Sequence, residues 1–195
     1  MGNSTRLTLC DARGPLNDLF EKLSGDDSGQ WFDGFKRFLR KENPFDTGLP
    51  DINWPETYKA LGMEAEYREA VKTLIIPGDR SNLWVMPVVK GITSNKIVAG
   101  HKKLGVKFYL YVDDLDKVVT KNDRDPSNGS YAVGFCRTIE ADEENKNLSA
   151  NQLKERNHKG ITLPERLLLG AGFYVATGQH LDMVNITLCT GSRDS

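Results

Sequence analysis

Apolar residues recur every three or four positions through residues 1–45 and every second position through the middle of the chain, so the sequence opens helical and then turns sheet-like. Leu16, Leu19, Phe20 and Leu23 share one helical face, and Gly25 supplies a C-terminal stop. Asp26, Asp27 or Ser28 caps a second helix that aligns Trp31, Phe35, Phe38 and Leu39 and ends at Asn43-Pro44. Residues 1–45 therefore read as a helical hairpin. Residues 44–55 hold Pro44, Gly48, Pro50 and Pro55 among Asp46, Asp51 and Asn53, the composition of a loop and a domain boundary. Asn53 and Pro55 open a further helical stretch carrying Tyr58, Leu61, Ala65 and Val71, interrupted near Gly62 and closed by Pro77-Gly78.

In the middle, 83–89 reads as a strand whose Pro87 places it at a sheet edge. Thr93 or Ser94 caps a short helix through Lys103 with Ile97, His101 and Leu104 inward, and 106–112 alternates as the next strand. Strand, helix and strand within this span predict a right-handed parallel crossover. After a polar turn over 122–130, residues 131–139 alternate as a third strand, and 149–156 read as a brief surface helix. Thr162-Leu163-Pro164-Glu165 is a capping box, opening a helix with Leu167, Leu168, Ala171 and Tyr174 that stops at Gly178. Gly170 and Gly172 weaken that helix intrinsically, which calls for a close neighbour to sustain it. Residues 183–189 suit a last short strand. The expected fold is α+β: an N-terminal helical hairpin over 1–45, then a small mixed β-sheet flanked by helices over 56–195, the two parts separate or continuous.

Composition narrows the function classes. With 26 Lys+Arg against 27 Asp+Glu in 195 residues, the net charge of −1 gives no global attraction to nucleic acid or to an anionic membrane. No apolar run approaches the ~20 residues of a membrane span. Cys10, Cys136 and Cys189 are too few and odd in number for a disulfide framework and fit a reducing cytoplasm. The start Met1-Gly2-Asn3-Ser4-Thr5-Arg6 has Arg6 where a myristoylation signal wants Ser or Thr.

Candidate chemistry gathers at Asp113, Asp114 and Asp116, directly after the alternating 106–112 segment. Ligands collect beyond the carboxyl ends of parallel strands, so those carboxylates would hold Mg2+ while Gly91, Thr93 and Ser94 cradle a phosphate at the helix start. Tyr111-Val112-Asp113-Asp114 matches the Tyr-x-Asp-Asp element of reverse transcriptases, but the chain is too short for their larger palm. Counted from Asp123 as a calcium loop, the sixth position is Asn128 and the twelfth Gly134, where Gly and Glu are required. Cys136 or Cys189 with His101, His158 or His180 has the residue types for nucleophilic chemistry without a local signature, and His180-Leu181-Asp182 has those of a base and its orienter. No Cys-x-x-Cys, His-Glu-x-x-His, Walker loop or Gly-x-Gly-x-x-Gly occurs.

The stretches from Trp31 to Pro44 and Thr162 to Leu169, with Thr177-Gly178-Gln179-His180-Leu181-Asp182 and Thr187-Leu188-Cys189-Thr190-Gly191-Ser192-Arg193, resemble a family of small uncharacterised bacterial proteins recurring in metagenome-derived genomes. In those relatives polar and aromatic sequence continues past the Gly-Ser-Arg stretch. The resemblance implies a shortened form and no activity, cofactor or partner.

These features leave enzymatic activity open. The leading expectation is a non-catalytic intracellular binding or protein-interaction module without a cofactor. Its partner surface would be the aromatic face Trp31, Phe35 and Phe38, with Lys36, Arg37, Arg40 and Lys41 beside it. The alternative is a small metal-dependent phosphoester-processing enzyme using Asp113 and Asp114.

Overall fold

The structure, a computed structural model, describes residues 9–26, 28–41, 48–76, 83–142 and 145–194, with side chains from Ala12 onward. The helix stops expected at Asn43-Pro44 and Pro77-Gly78, the start at Gly2 and the Cys10 side chain lie outside the described residues. The fold is α+β, with eight helices and four short strands among the described residues. Contacts divide the chain into two compact units, Met1–Asp46 and Thr47–Ser195.

The first unit is a helical hairpin of α1 (Leu9–Leu23) and α2 (Ser28–Leu39). The Ser24 hydroxyl donates to the Phe20 carbonyl, and the Ser28 amide donates to Gly25 across the turn. Lys22 lies 4.5 Å from the Trp31 ring centroid and ties the helices by a cation–π contact. No residue of α2 is buried. Trp31 and Phe38 of the expected aromatic face are exposed and Phe35 is half-buried.

The second unit carries the hydrophobic core. Its helices are α3 (Trp54–Ala60), α4 (Glu64–Ala70), α5 (Ser94–Lys103), α6 (Leu115–Val118), α7 (Ala150–Glu155) and α8 (Leu163–Thr177). Local signals set several of their ends. Asn53 accepts from the Glu56 amide to open α3, and Thr93 accepts from Lys96 to open α5. The Thr162/Glu165 capping box opens α8, and Gly178 at φ 71 closes it in the left-handed region. Tyr58, Met86, Ile97, Leu168 and Phe173 form the sealed centre, with the Trp84 and Phe173 rings 5.6 Å apart. A methyl group on Gly172 would stand 2.6 Å from Ile52 and 2.8 Å from Trp54, so the glycine lets α8 approach this pair closely. Residues 49–52 are irregular yet packed: Ile52 is in the core, and the Pro50 carbonyl accepts from Trp84 Nε1 at 3.0 Å.

The strands are β1 (Leu83–Val88), β2 (Val119–Asn122), β3 (Tyr131–Cys136) and β4 (Ser192–Asp194). They form two antiparallel pairs, β1 with β3 from Leu83↔Cys136 to Val88↔Tyr131, and β2 with β4. The expected parallel crossover and mixed sheet are therefore absent among the described residues, because 106–112 joins no ladder. The reason lies in β1. Its carbonyls at Val85 and Pro87 accept from Trp54 Nε1 at 2.7 Å and from the Tyr58 hydroxyl at 2.8 Å, and Pro87 has no N–H to offer. Side chains of α3 close one edge and β3 fills the other, so no site is left for a third strand. Residues 183–189 also form no strand. The Glu140 carboxylate accepts from the amides of Met183, Val184 and Asn185 at 2.8–3.3 Å and bends the segment around itself.

Candidate functional site

The acidic cluster after 106–112 does reach the start of α5, but as a cap. Asp114 Oδ1 accepts from Asn95 Nδ2 at 2.7 Å and from the Lys117 amide at 3.2 Å, while its Oδ2 faces Lys117 Nζ at 3.2 Å. These partners, the Asn95 hydrogen bond foremost, hold its carboxyl below the usual carboxylate range. Asp116 presents both oxygens to the Asn95 amide at 3.4 Å, so a carboxylate of the chain occupies the place a phosphate would take on α5. The Leu115 amide donates to Asn95 Oδ1 at 3.1 Å, which closes the exchange between the two helices. The intended cradle is similarly engaged. The Gly91 amide donates to Pro126, Thr93 Oγ1 accepts from Lys96, and Ser94 is buried. Asp113 is exposed in the bend before α6. Among the described residues no group of three His, Cys, Asp or Glu side chains is arranged to hold a metal.

The most completely satisfied polar group is Glu165, fully buried at the first turn of α8. Arg124 donates to it from Nε at 2.6 Å and Nη2 at 2.7 Å, Tyr131 donates its hydroxyl at 2.9 Å, and the Thr162 amide donates at 2.9 Å. Arg124 Nη2 also reaches the Gly160 carbonyl at 2.7 Å. Burial, followed by the Glu165 charge, raises the Tyr131 hydroxyl, and the Glu165 hydrogen bond raises Arg124. Every oxygen of the carboxylate has partners inside the protein, so this network positions β3 against α8 and leaves no acid or base facing a substrate.

Two cavities flank the 181–188 segment. One, of about 480 Å3, lies along β3 and is lined by Val133, Phe135, Ile139, Leu153 and Ile161, with Glu140 committed to its three amides. The other, of about 420 Å3, is a half-open cleft with a base on α5 and α8 built from Val98, His101, Leu167 and Tyr174. Its two walls are irregular segments, 106–110 and 185–189. His101 is buried and meets Phe108 edge-on with ring centroids 6.0 Å apart, and His180 lies 5.2 Å from the Tyr174 ring. Burial, then the nearby His180 and Arg166, lowers the His101 pKa. Arg166 donates from Nε at 3.0 Å and Nη2 at 2.7 Å to Asp182 Oδ2, so these charges neutralise each other. His180 and Asp182 thus do not form the expected base and orienter: the Asp182 oxygen is taken by Arg166.

The surroundings of Cys189 disfavour its thiolate. Burial pushes the Cys189 thiol up to about 11, opposite to what a nucleophile needs. Cys136 is exposed at the end of β3, and neither it nor Cys189 is in a disulfide. Large apolar side chains stand in solvent at the cleft and beside it. Tyr109 (77% exposed) and Ile186 (82%) line the cleft with Phe108 and Leu110, and Tyr111 (93%) and Val184 (85%) adjoin its walls in the chain. The Tyr109 and Tyr111 rings touch edge-to-face at 5.0 Å.

No protein family, curated protein or solved structure matches this chain. The cleft went unmarked in the sequence because its base and walls come from four separated stretches. The alternation of 106–112 was its one local trace.

Proposed function

We propose that the chain is a non-catalytic module of the bacterial cytoplasm that binds a protein partner. The observation that carries this reading is the set of large apolar side chains left exposed at the cleft, Tyr109 and Ile186 in its lining and Tyr111 and Val184 adjoining its walls in the chain. Exposed apolar groups scattered singly are ordinary, but a set gathered around one concavity marks a contact surface. The first unit supports a second contact on the aromatic and basic helix α2, where Trp31, Phe32, Phe38 and Leu39 are all exposed. Two further features agree. Cys136 and Cys189 are not in disulfides, as in a reducing compartment, and among the described residues no helix is long and apolar enough to cross a membrane.

The test is site-specific photocrosslinking in cells. A crosslinker at Tyr111 or Phe38 should give discrete adducts with another protein, and one at Glu66 on α4 should give none. Identical patterns from all three positions would remove the reading. Magnesium-dependent phosphoester chemistry at Asp113 and Asp114 makes a different prediction: millimolar magnesium would raise the melting temperature of the wild type and leave Asp114→Asn unmoved.

A further inference from the structure

The first unit has apolar stripes but no core. Leu16 and Phe20 stand four apart on α1, while Trp31 with Phe38 and Phe32 with Leu39 stand seven apart on α2, spacings that align each pair along its helix. All six are exposed, and no described side chain of residues 12–41 is buried. Helices of 15 and 12 residues are marginal alone and draw most of their stability from an apolar face packed on a neighbour. Pro15 inside α1 and Gly29 and Gly34 inside α2 deepen that need. Between 39% and 63% of each of the six residues is in solvent. Covering them would bury roughly 600 Å2 of apolar surface per hairpin, or about 1,200 Å2 between two hairpins, which reaches the size of a stable interface.

Charge is divided along the same hairpin. The turn half, 17–33, carries Asp18, Glu21, Asp26, Asp27 and Asp33 against Lys22. The rest of the unit, 1–16 and 34–46, carries Arg6, Arg13, Lys36, Arg37, Arg40 and Lys41 against Asp11, Glu42 and Asp46. Lys36 lies 2.6 Å from Asp33 and cancels one charge on each side, which changes neither sign. We propose that the first units of two copies pack face to face into an antiparallel four-helix bundle about a two-fold axis. The acidic turn half of each hairpin then lies against the basic half of the other. The inference rests on the protein-binding reading of α2 and names its partner as a second copy of this chain.

A copy brings the complement of both features at once. Its apolar stripes match those of its twin, and a two-fold axis across the helices meets negative with positive at each end. A parallel pair would instead oppose like charges at both ends. An anionic membrane surface is the poorer partner for these aromatic stripes, because residues 1–46 carry eight carboxylates against seven cations and give it no net attraction.

The experiment is analytical ultracentrifugation of the full-length protein. At roughly 10 μM the wild type should sediment at twice the mass of one chain, since interfaces of this size reach micromolar affinity or better. A substitution in a two-fold interface counts twice, so Phe38→Asp should weaken the dimer roughly hundredfold. The decisive arm is a charge exchange. Lys36→Glu/Arg37→Glu/Arg40→Glu makes both halves of the hairpin negative, and Asp18→Lys/Glu21→Lys/Asp26→Lys makes both positive. Each triple variant alone should be monomeric, and an equal mixture of the two should dimerise, a recovery that a merely unfolded hairpin cannot give. A monomeric wild type, with or without binding to anionic vesicles, overturns the proposal. Dimers of either triple variant alone, or no recovery on mixing, overturn the antiparallel packing that defines it. Crosslinks separate this inference from the reading beneath it: adducts at Phe38 should contain this chain alone. If they contain a different protein, the binding reading stands and the second copy is wrong. If Phe38 gives none while Tyr111 still does, the inference falls and the cleft keeps its partner.

Discussion

β1 and residues 106–112 are near equals in sequence: each is a short run rich in Val and aromatic or long apolar residues. Their fates are opposite. Trp84, Met86 and Val88 of β1 are buried, its carbonyls are capped by α3 and its other side is paired to β3. The 106–112 segment keeps Tyr109 and Tyr111 in solvent, and among the described residues its main chain past Val106 has no hydrogen-bond partner. The difference teaches that alternation specifies readiness to pair, while the partner is decided by which edges remain vacant once the helices have packed.

The largest effect should come from the anchor of the closed side. Glu165 joins β3, through Tyr131, to the first turn of α8 and to Arg124, so Glu165→Ala leaves a half-buried guanidinium unpaired and removes a capping box. We expect a loss of about 3 kcal/mol in urea denaturation. A loss below about 1 kcal/mol would show that the closed side does not depend on this network. Next is Tyr58→Phe, which strips the buried Pro87 carbonyl and Val89 amide of their shared hydroxyl and should cost about 2 kcal/mol.

Acidity should act on the cleft that 106–110 borders. His101 is held neutral by burial, so its folded pKa lies below the ordinary 6.5. In that window the unfolded chain binds the extra proton. Stability is therefore full above the ordinary value and declines as pH falls from there towards the folded value. Melting temperatures measured from neutral to mildly acidic pH should show this decline, and His101→Phe should flatten it. The smallest effect belongs to the open segment: Tyr111→Ser should change stability by no more than about 0.5 kcal/mol. A large loss there would mean that 106–112 is built into the fold after all, and the contrast with β1 would dissolve.

Much of the fold was legible because its signals are local. The Thr162/Glu165 box, the caps at Asn53 and Thr93, and the stop at Gly178 are set by neighbours within a turn. The same Glu165 shows where legibility ended: its partner Arg124 stands 41 positions earlier, and no periodicity links them. At the acidic cluster, the nearness of Asp114 and Asp116 to the α5 start was readable, but their occupation by Asn95 and Lys117 was not. Residues 183–189 were misread as a strand for a similar reason. Apolar spacing cannot reveal that a carboxylate more than forty positions away will claim the amides.

That carboxylate decides a competition within the chain. Each amide has a single proton to offer, so while Met183, Val184 and Asn185 point theirs at the Glu140 carboxylate they do not serve a neighbouring strand. While Glu140 keeps them, residues 183–185 cannot zip onto 106–110, and that end of the cleft stays open.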